Sequence, residues 1–433
     1  MYVADSRAGT PASAEGAVRP AGRRPAAVAP TVFALGTVSL VTDVSSEMVT
    51  AVLPLYLVAG LGLSPLGFGL LDGIHNGFSA VVRLVGGHLA DRGGGRHKRV
   101  AGLGYGLSAL CKPLLLVAHS LTPIGIVLAA DRTGKGLRTA PRDALISLSS
   151  TPETRGRAFG VHRAMDTAGA LLGPLVAFLI LRVTVDGYDA VFTVSFCVAV
   201  TGVLVLVLFV PGGRPAGTAP AAPPAERPTV RAALGLLRHR DLRRVAGCAL
   251  LLGLATVSDS FVYLLLQRRL DVPDRWFPLL PLGTAAAFLL LAVALGRLAD
   301  RVGRWAVFLA GHAALLLCYA LLLASWHGAA LPYLVLALHG AFYAATDGVL
   351  MAAASDGVPQ GLRSSGLAVV QTGQALARFA CSLLFGAVWT VWGDRAALAG
   401  ATAALAGCAA FSLVLRPGST SRAPGPPEGT AIP

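Results

Sequence analysis

The sequence predicts an all-α integral membrane protein with twelve transmembrane helices in two pseudo-symmetric six-helix bundles. Three observations carry that expectation. The first is composition: the 433 residues are 55% hydrophobic and 13% charged, with a mean hydropathy of +0.67. A water-facing surface normally needs roughly twice that share of charge. The second is run length. Apolar stretches begin near residues 31, 66, 100, 121, 157, 189, 246, 276, 305, 332, 366 and 395, each reaching the roughly 20 residues that span a bilayer. The third is the placement of charge. Of the formal net charge of +14, much gathers in short connections on alternate sides of the runs: "DRGGGRHKRV", "TRGR", "RHRDLRR" and "DRVGR". This is the positive-inside pattern, and it places both termini in the cytoplasm of a multi-pass protein of the bacterial inner membrane.

The elements follow in chain order. Residues 1–30 are rich in Ala, Pro and Arg without an apolar stretch, so a disordered cytoplasmic tail is expected rather than a cleaved signal. Residues 31–210 hold six runs, the first bundle. Residues 211–245 form a cytoplasmic linker: "PGGRPAGTAPAAPPAERPTV" cannot span a membrane, and "RAALGLLRHRDLRR" reads as a short basic helix on the inner membrane surface. Residues 246–415 hold six more runs, the second bundle, and 416–433 a second tail. The halves resemble one another, with "GGHLADRGGGR" after the second run and "LGRLADRVGR" after the eighth, and Asp43 in the first run matched by Asp259 in the seventh. A repeated six-helix unit with a site between the repeats is a secondary-transporter architecture.

Several classes are excluded or disfavoured. The six cysteines sit singly in apolar surroundings without metal spacing, so they read as packing residues, with no metal or other cofactor expected. The basic charge is explained by topology, so no nucleic-acid partner is expected. The forms G-x-x-x-x-G-K-[ST], H-E-x-x-H and G-x-S-x-G are missing from the chain, and neither an enzyme nor an ATP-driven pump is expected. Expected partners are a small-molecule substrate, protons and the lipid bilayer, with the chain a monomer.

From about residue 31 to 415 the sequence resembles the major facilitator superfamily. Its loop motif G-x-x-x-D-R-x-G is met by Gly87, Asp91, Arg92 and Gly94, and again by Gly296, Asp300, Arg301 and Gly303. The resemblance implies gating roles for these residues at cytoplasmic helix ends. The first copy departs from the pattern, with Gly95 where a basic residue usually follows. The family's fourth-helix motif, an Arg followed four residues later by Gly, is matched by Arg132 and Gly136, which by resemblance implicates Arg132 in proton coupling. The fifth-helix motif of antiporters is partly matched by Gly169, Gly173 and Pro174; the glycine pair expected after it is missing. "DRTGKGLRTAPRDALI" and "RGRAFGVHRAMDTAGALLGP" look like a bacterial, drug:proton antiporter-like subgroup without an assigned substrate.

Ionisable groups at membrane depth are functional candidates because each costs several kcal/mol unless paired or wetted. Arg132, Lys135, Arg138 and Arg142 fall at helical spacing and form one stripe, expected to line a cavity while Gly134 and Gly136 let the opposite face pack closely. Arg138, Arg142 and Asp143 are expected at the cytoplasmic headgroups, and Pro141 at a kink or helix end. Asp43 and Glu47, four apart on the first helix, are candidates to take up and release a proton, with Arg132 and Lys135 sensing their charge; static pairing with Arg132 or Lys135 is the competing reading. Asp72, His75 and Asn76 give the second helix a polar face. With Lys112, Asp259 and Arg378 they are assigned to the substrate cavity. So are Arg163 and Asp166, which are also expected to pair with each other or with the stripe. Partners for Lys112, Asp347 and Arg378 cannot be read from spacing.

The expectation is proton-coupled efflux of a small molecule by alternating access. A second reading is an organic anion or metal chelate held by a basic cavity of Lys112, Arg132, Lys135 and Arg163. A third is a membrane sensor that moves nothing.

Overall fold

The computed structural model describes residues 28–92, 97–151, 154–184, 187–211, 235, 238, 240–326, 328–356 and 363–414. Among them all regular structure is helical. The first half holds α1 (Pro30–Leu55), α2 (Pro65–Arg92), α3 (His97–Val117), α4 (Leu121–Leu148), α5 (Arg155–Val183) and α6 (Gly187–Phe209). The second holds α7 (Arg240–Ala255), α8 (Asp259–Leu270), α9 (Leu279–Val302), α10 (Arg304–Leu323), α11 (Leu331–Asp356) and α12 (Arg363–Val414). Among the described residues nine stretches are long and apolar enough to cross a membrane. Helices α2 and α4, 28 residues each, are just as long but carry ionisable groups along their length.

The surface is the inverse of a soluble protein's. Large apolar side chains such as Leu103, Ile126, Val183 and Val391 face outward, Leu290 with 81% of its surface exposed. Polar groups instead turn inward, as expected where acyl chains are the solvent. The packing repeats between the halves: α1 packs on α5, α2 on α4 and α3 on α4, while α7 packs on α12, α9 on α11 and α10 on α11.

Two places depart from a simple reading of the runs. The seventh run is broken: α7 ends at Ala255 and α8 begins at Asp259. Thr256, Val257 and Ser258 replace the lost helical bonds with side chains, since the Thr256 hydroxyl donates to the Leu252 carbonyl at 2.8 Å and the Val257 amide donates to Tyr319 Oη at 2.8 Å. Ser258 is extended, and its carbonyl accepts the first amide bonds of α8. Such a break at membrane depth is tolerated only where protein or a cavity satisfies the backbone. The second departure is α12, 52 residues long, which turns at Gly393 (φ 86°) into two arms. The basic run "RDLRR" is the opening of α7, most of the preceding part of the expected surface helix lies outside the described residues, and α4 continues through Pro141 to Leu148. The tails at 1–27 and 415–433 and the linker at 212–234 lie outside the described residues.

Candidate functional site: a buried charge network beside a central cavity

Close helix contact sets up the charge network. At the α3–α4 crossing a Cβ on Gly134 would stand 2.6 Å from the Gly104 carbonyl oxygen, so the two backbones touch. That approach brings Ser108 and Lys112, one turn apart on α3, onto Asp131 of α4. The Ser108 hydroxyl donates to Asp131 Oδ1 at 2.6 Å, Lys112 Nζ reaches Oδ1 at 2.8 Å and an Arg132 nitrogen reaches Oδ2 at 2.8 Å. Asp131 is only 4% exposed. A buried ion cluster of this kind repays its desolvation only through such complete pairing.

Glycines also seat α1 on α5. A Cβ on Gly173 would fall 2.7 Å from Glu47 Cβ, and one on Gly169 would strike the Leu40 carbonyl. Asp43 and Glu47 are thereby held against α4. Lys135 Nζ stands 3.5 Å from Glu47 Oε1, both side chains partly exposed. Arg138 donates to Asp43 Oδ1 at 3.1 Å and lies over the Tyr105 ring, 4.6 Å from its centre. Arg142 pairs with Asp143 at 3.0 Å and approaches Asp166 at 3.7 Å, and Arg163 meets Asp166 at 3.4 Å.

These contacts correct two expectations. Arg138 does not turn outward toward headgroups: it is 3% exposed, because Asp43 gives it a buried partner that water would otherwise have to supply. The carboxylate at Arg132 is Asp131, one residue away, and Asp43 pairs with Arg138 instead of with Arg132 or Lys135, whereas Glu47 does pair with Lys135. Each of the four cations expected to form a basic cavity, Lys112, Arg132, Lys135 and Arg163, has a carboxylate in contact, Lys112 and Arg132 sharing Asp131.

A cavity of about 350 Å³ lies between the halves. From the first half Glu47 and Thr50 of α1 and His75 and Asn76 of α2 line it. From the second come the α7–α8 break with the first turn of α8 (Thr256 to Ser260), Phe277 just before α9, Thr284 and Phe288 on α9, and Tyr263, Tyr343, Asp347 and Arg378. Of the residues assigned to the cavity from sequence, His75, Asn76, Asp259 and Arg378 line it. Lys112, Arg163 and Asp166 are taken up in the network. Asp72 is buried beside the cavity, where the Ser382 hydroxyl donates to Oδ2 at 2.7 Å, joining α2 to the second half, with Ser258 and Ser260 close by.

On the far wall Asp259, at the first position of α8, accepts a hydrogen bond from the Tyr343 hydroxyl. His339 Nε2 lies 3.6 Å from the same carboxylate, and Arg378 sits 5.7 Å from the centre of the Tyr343 ring. His339 and Tyr343 were not singled out from sequence. With Asp347 they recur every four residues along α11, the helical spacing that would have revealed them.

The loop-motif residues divide. Gly87, Asp91 and Arg92 fall at the end of α2, where the side chains lie outside the described residues. In the second copy Asp300 is 4.0 Å from Arg304, and Arg301 is exposed. Gly296 has open space beside it, and Gly303 (φ 102°) turns the chain from α9 into α10.

Known proteins agree with this architecture. The pattern of the Major Facilitator Superfamily matches residues 35–382. The chain belongs to the major facilitator superfamily. An uncharacterized MFS-type transporter of Methanocaldococcus jannaschii is 29% identical over 383 residues, 86% of this chain and 92% of that one. A multidrug resistance protein MdtH of Photorhabdus laumondii is 30% identical over 172 residues, 39% of this chain and 40% of that one. The crystal structure of the nucleoside transporter NupG shares the fold, with a TM-score of 0.75 at 12% identity over 89% of this chain and 98% of that one. As a superfamily member the chain is a multi-pass membrane transporter. Its central cavity between the halves is where such a fold holds cargo.

Proposed function

We propose that this transporter is a proton-coupled exporter of a small organic molecule, crossing the bacterial inner membrane twelve times in two six-helix bundles with both termini in the cytoplasm. The twelve passes are α1 to α6, the broken α7–α8 pair, α9, α10, α11 and the two arms of α12. The bundles rock about the cavity they share. A relative named for multidrug resistance lends the direction of transport some support.

The observation that carries the coupling is the position of Glu47. It lines the cavity and is held from behind by Lys135 at 3.5 Å. A proton or a cationic cargo arriving at Glu47 competes with Lys135 for the same charge, so the two ligands exclude one another, as exchange requires. The cavity wall favours a basic cargo. Glu47, Asp259 and Asp347 face it against the single guanidinium of Arg378, and Tyr263, Phe277, Phe288 and Tyr343 offer apolar and cation–π surface. The anionic reading has less support, because each of its four cations has a carboxylate in contact and none of them lines this cavity.

The test is compound accumulation in an efflux-deficient bacterium expressing the wild type, Glu47→Gln or Asp259→Asn at equal membrane levels. Wild type is expected to lower the accumulation of compounds with a basic nitrogen, to lose that effect when the proton gradient is collapsed, and to lose it in either variant. An effect confined to organic anions, or none on any compound, overturns the proposal.

A further inference from the structure

The cavity has a smaller neighbour. A void of about 10 Å³ lies within the first half, lined by Ser46, Thr50 and His75 on one side and by Lys112, Asp131 and Arg132 on the other. Two residues belong to both spaces, Thr50 and His75. Thr50 is already committed, its hydroxyl donating to the Ser46 carbonyl at 3.0 Å. His75 is not: its Nδ1 is buried without a hydrogen-bond partner, and the Nε of Arg132 is in the same condition. Two orphaned polar atoms, one on each side, therefore belong to residues that line one void.

Buried polar atoms are almost always bonded, and leaving one unpaired costs about 1–3 kcal/mol. A void of roughly 10–15 Å³ is the size that admits one water, which typically makes about three hydrogen bonds. The available chemistry supplies three. Arg132 Nε–H donates, Asp131 accepts, and His75 Nδ1 accepts when the ring proton is on Nε2. The cations Lys112 and Arg132 against one carboxylate disfavour a metal ion here.

We infer that this void is a site for one bound water, bridging His75 Nδ1 to Arg132 Nε, and that His75 is the positioning residue linking the cargo cavity to the buried ion cluster. The ring is packed between the two systems: Arg132, Asp131, Lys112 and Lys135 act on it from the α3–α4 side, while Glu47 from α1 and Asp259, Asp347 and Arg378 from the second half share its cavity. Cargo or a proton that turns the ring breaks the bridge and frees Arg132 Nε, so occupancy of the cavity is felt in the fourth helix. That consequence rests on the transport reading above; the water site does not.

The test joins density to variants. In a structure at a resolution that shows waters, a peak is expected within hydrogen-bond distance of both His75 Nδ1 and Arg132 Nε. His75→Phe, similar in shape but without ring nitrogens, is expected to lose the peak and to reduce proton-linked transport by about tenfold, the scale of a lost bond to a charged group. His75→Asn, which returns a polar atom to the Nδ1 position, is expected to recover most of both. No peak in the wild type, or His75→Phe with unaltered proton linkage, overturns the inference. Were the wild type to transport nothing, the function would fall while the density still judged the water.

Discussion

The two halves of this transporter handle charge in opposite ways. In the first half the cations are paired by direct contact: Lys112 and Arg132 share Asp131, Lys135 meets Glu47, and Arg138 meets Asp43. In the second half the cavity-lining charges make close contacts with neutral groups, while Arg378 is the opposite charge facing Asp347 and Asp259. Asp259 takes a phenol from Tyr343 and has an imidazole nearby, and Arg378 lies over an aromatic ring. The difference teaches where ligands have room to act. A paired ion answers another charge only after its pair is broken, whereas a cavity-lining ion held by a neutral group is available at once. Glu47 stands between the two regimes, since it belongs to the network and to the cavity.

Substitutions break or sharpen this contrast. The largest effect is expected in the network. Asp131→Asn leaves Lys112 and Arg132 without their shared carboxylate and should destabilise the fold by about 3–5 kcal/mol, read as a lowered thermal or denaturant midpoint in detergent; a loss below about 1 kcal/mol would mean that water already serves those cations. Next comes the Asp43–Arg138 pair. In a double-mutant cycle of Asp43→Asn and Arg138→Gln, the double variant should be more stable than the summed singles imply, with a coupling of about 1–3 kcal/mol. Additive costs would show that the 3.1 Å contact carries no energy.

A third substitution concerns the contact that assembles the network. Gly134→Val inserts atoms where a Cβ alone would stand 2.6 Å from the Gly104 carbonyl oxygen, and a cost of roughly 1–3 kcal/mol is expected. The smallest stability effect belongs to the cavity wall. Asp259→Asn should stay within about 0.5 kcal/mol of wild type while abolishing transport, because Asn still accepts from Tyr343 but no longer offers a charge. Stability loss and transport loss should thus separate between the halves.

Much of this was legible in the chain. Apolar run length located the helices, because a bilayer demands about 20 residues whatever their identity; α4 begins at Leu121 and α11 at Leu331, where the fourth and tenth runs begin. The stripe on α4 followed from helical spacing. What spacing could not give was the partner of each charge, since that depends on which helices touch. Arg138 read as a headgroup residue because nothing local announces Asp43, 95 positions away, as its partner. Asp131 was hidden in plain view, one residue before Arg132. The break at Thr256–Ser258 escaped for a related reason: its backbone is satisfied in part by Tyr319, a residue of another helix. The four-residue repeat of His339, Tyr343 and Asp347 was a local signal, and it passed unused.

The most direct test of the contrast between halves is thiol accessibility, which needs no known cargo. In a background with the six native cysteines replaced, single cysteines at Asn76, Ser260 and Asp347 probe the cavity and one at Ser108 probes the network, each challenged with a water-soluble thiol reagent in membranes. Cavity positions are expected to react at least about tenfold faster than position 108, because modification follows exposure. Equal rates, or faster reaction at 108, would contradict a sealed network beside an open cavity.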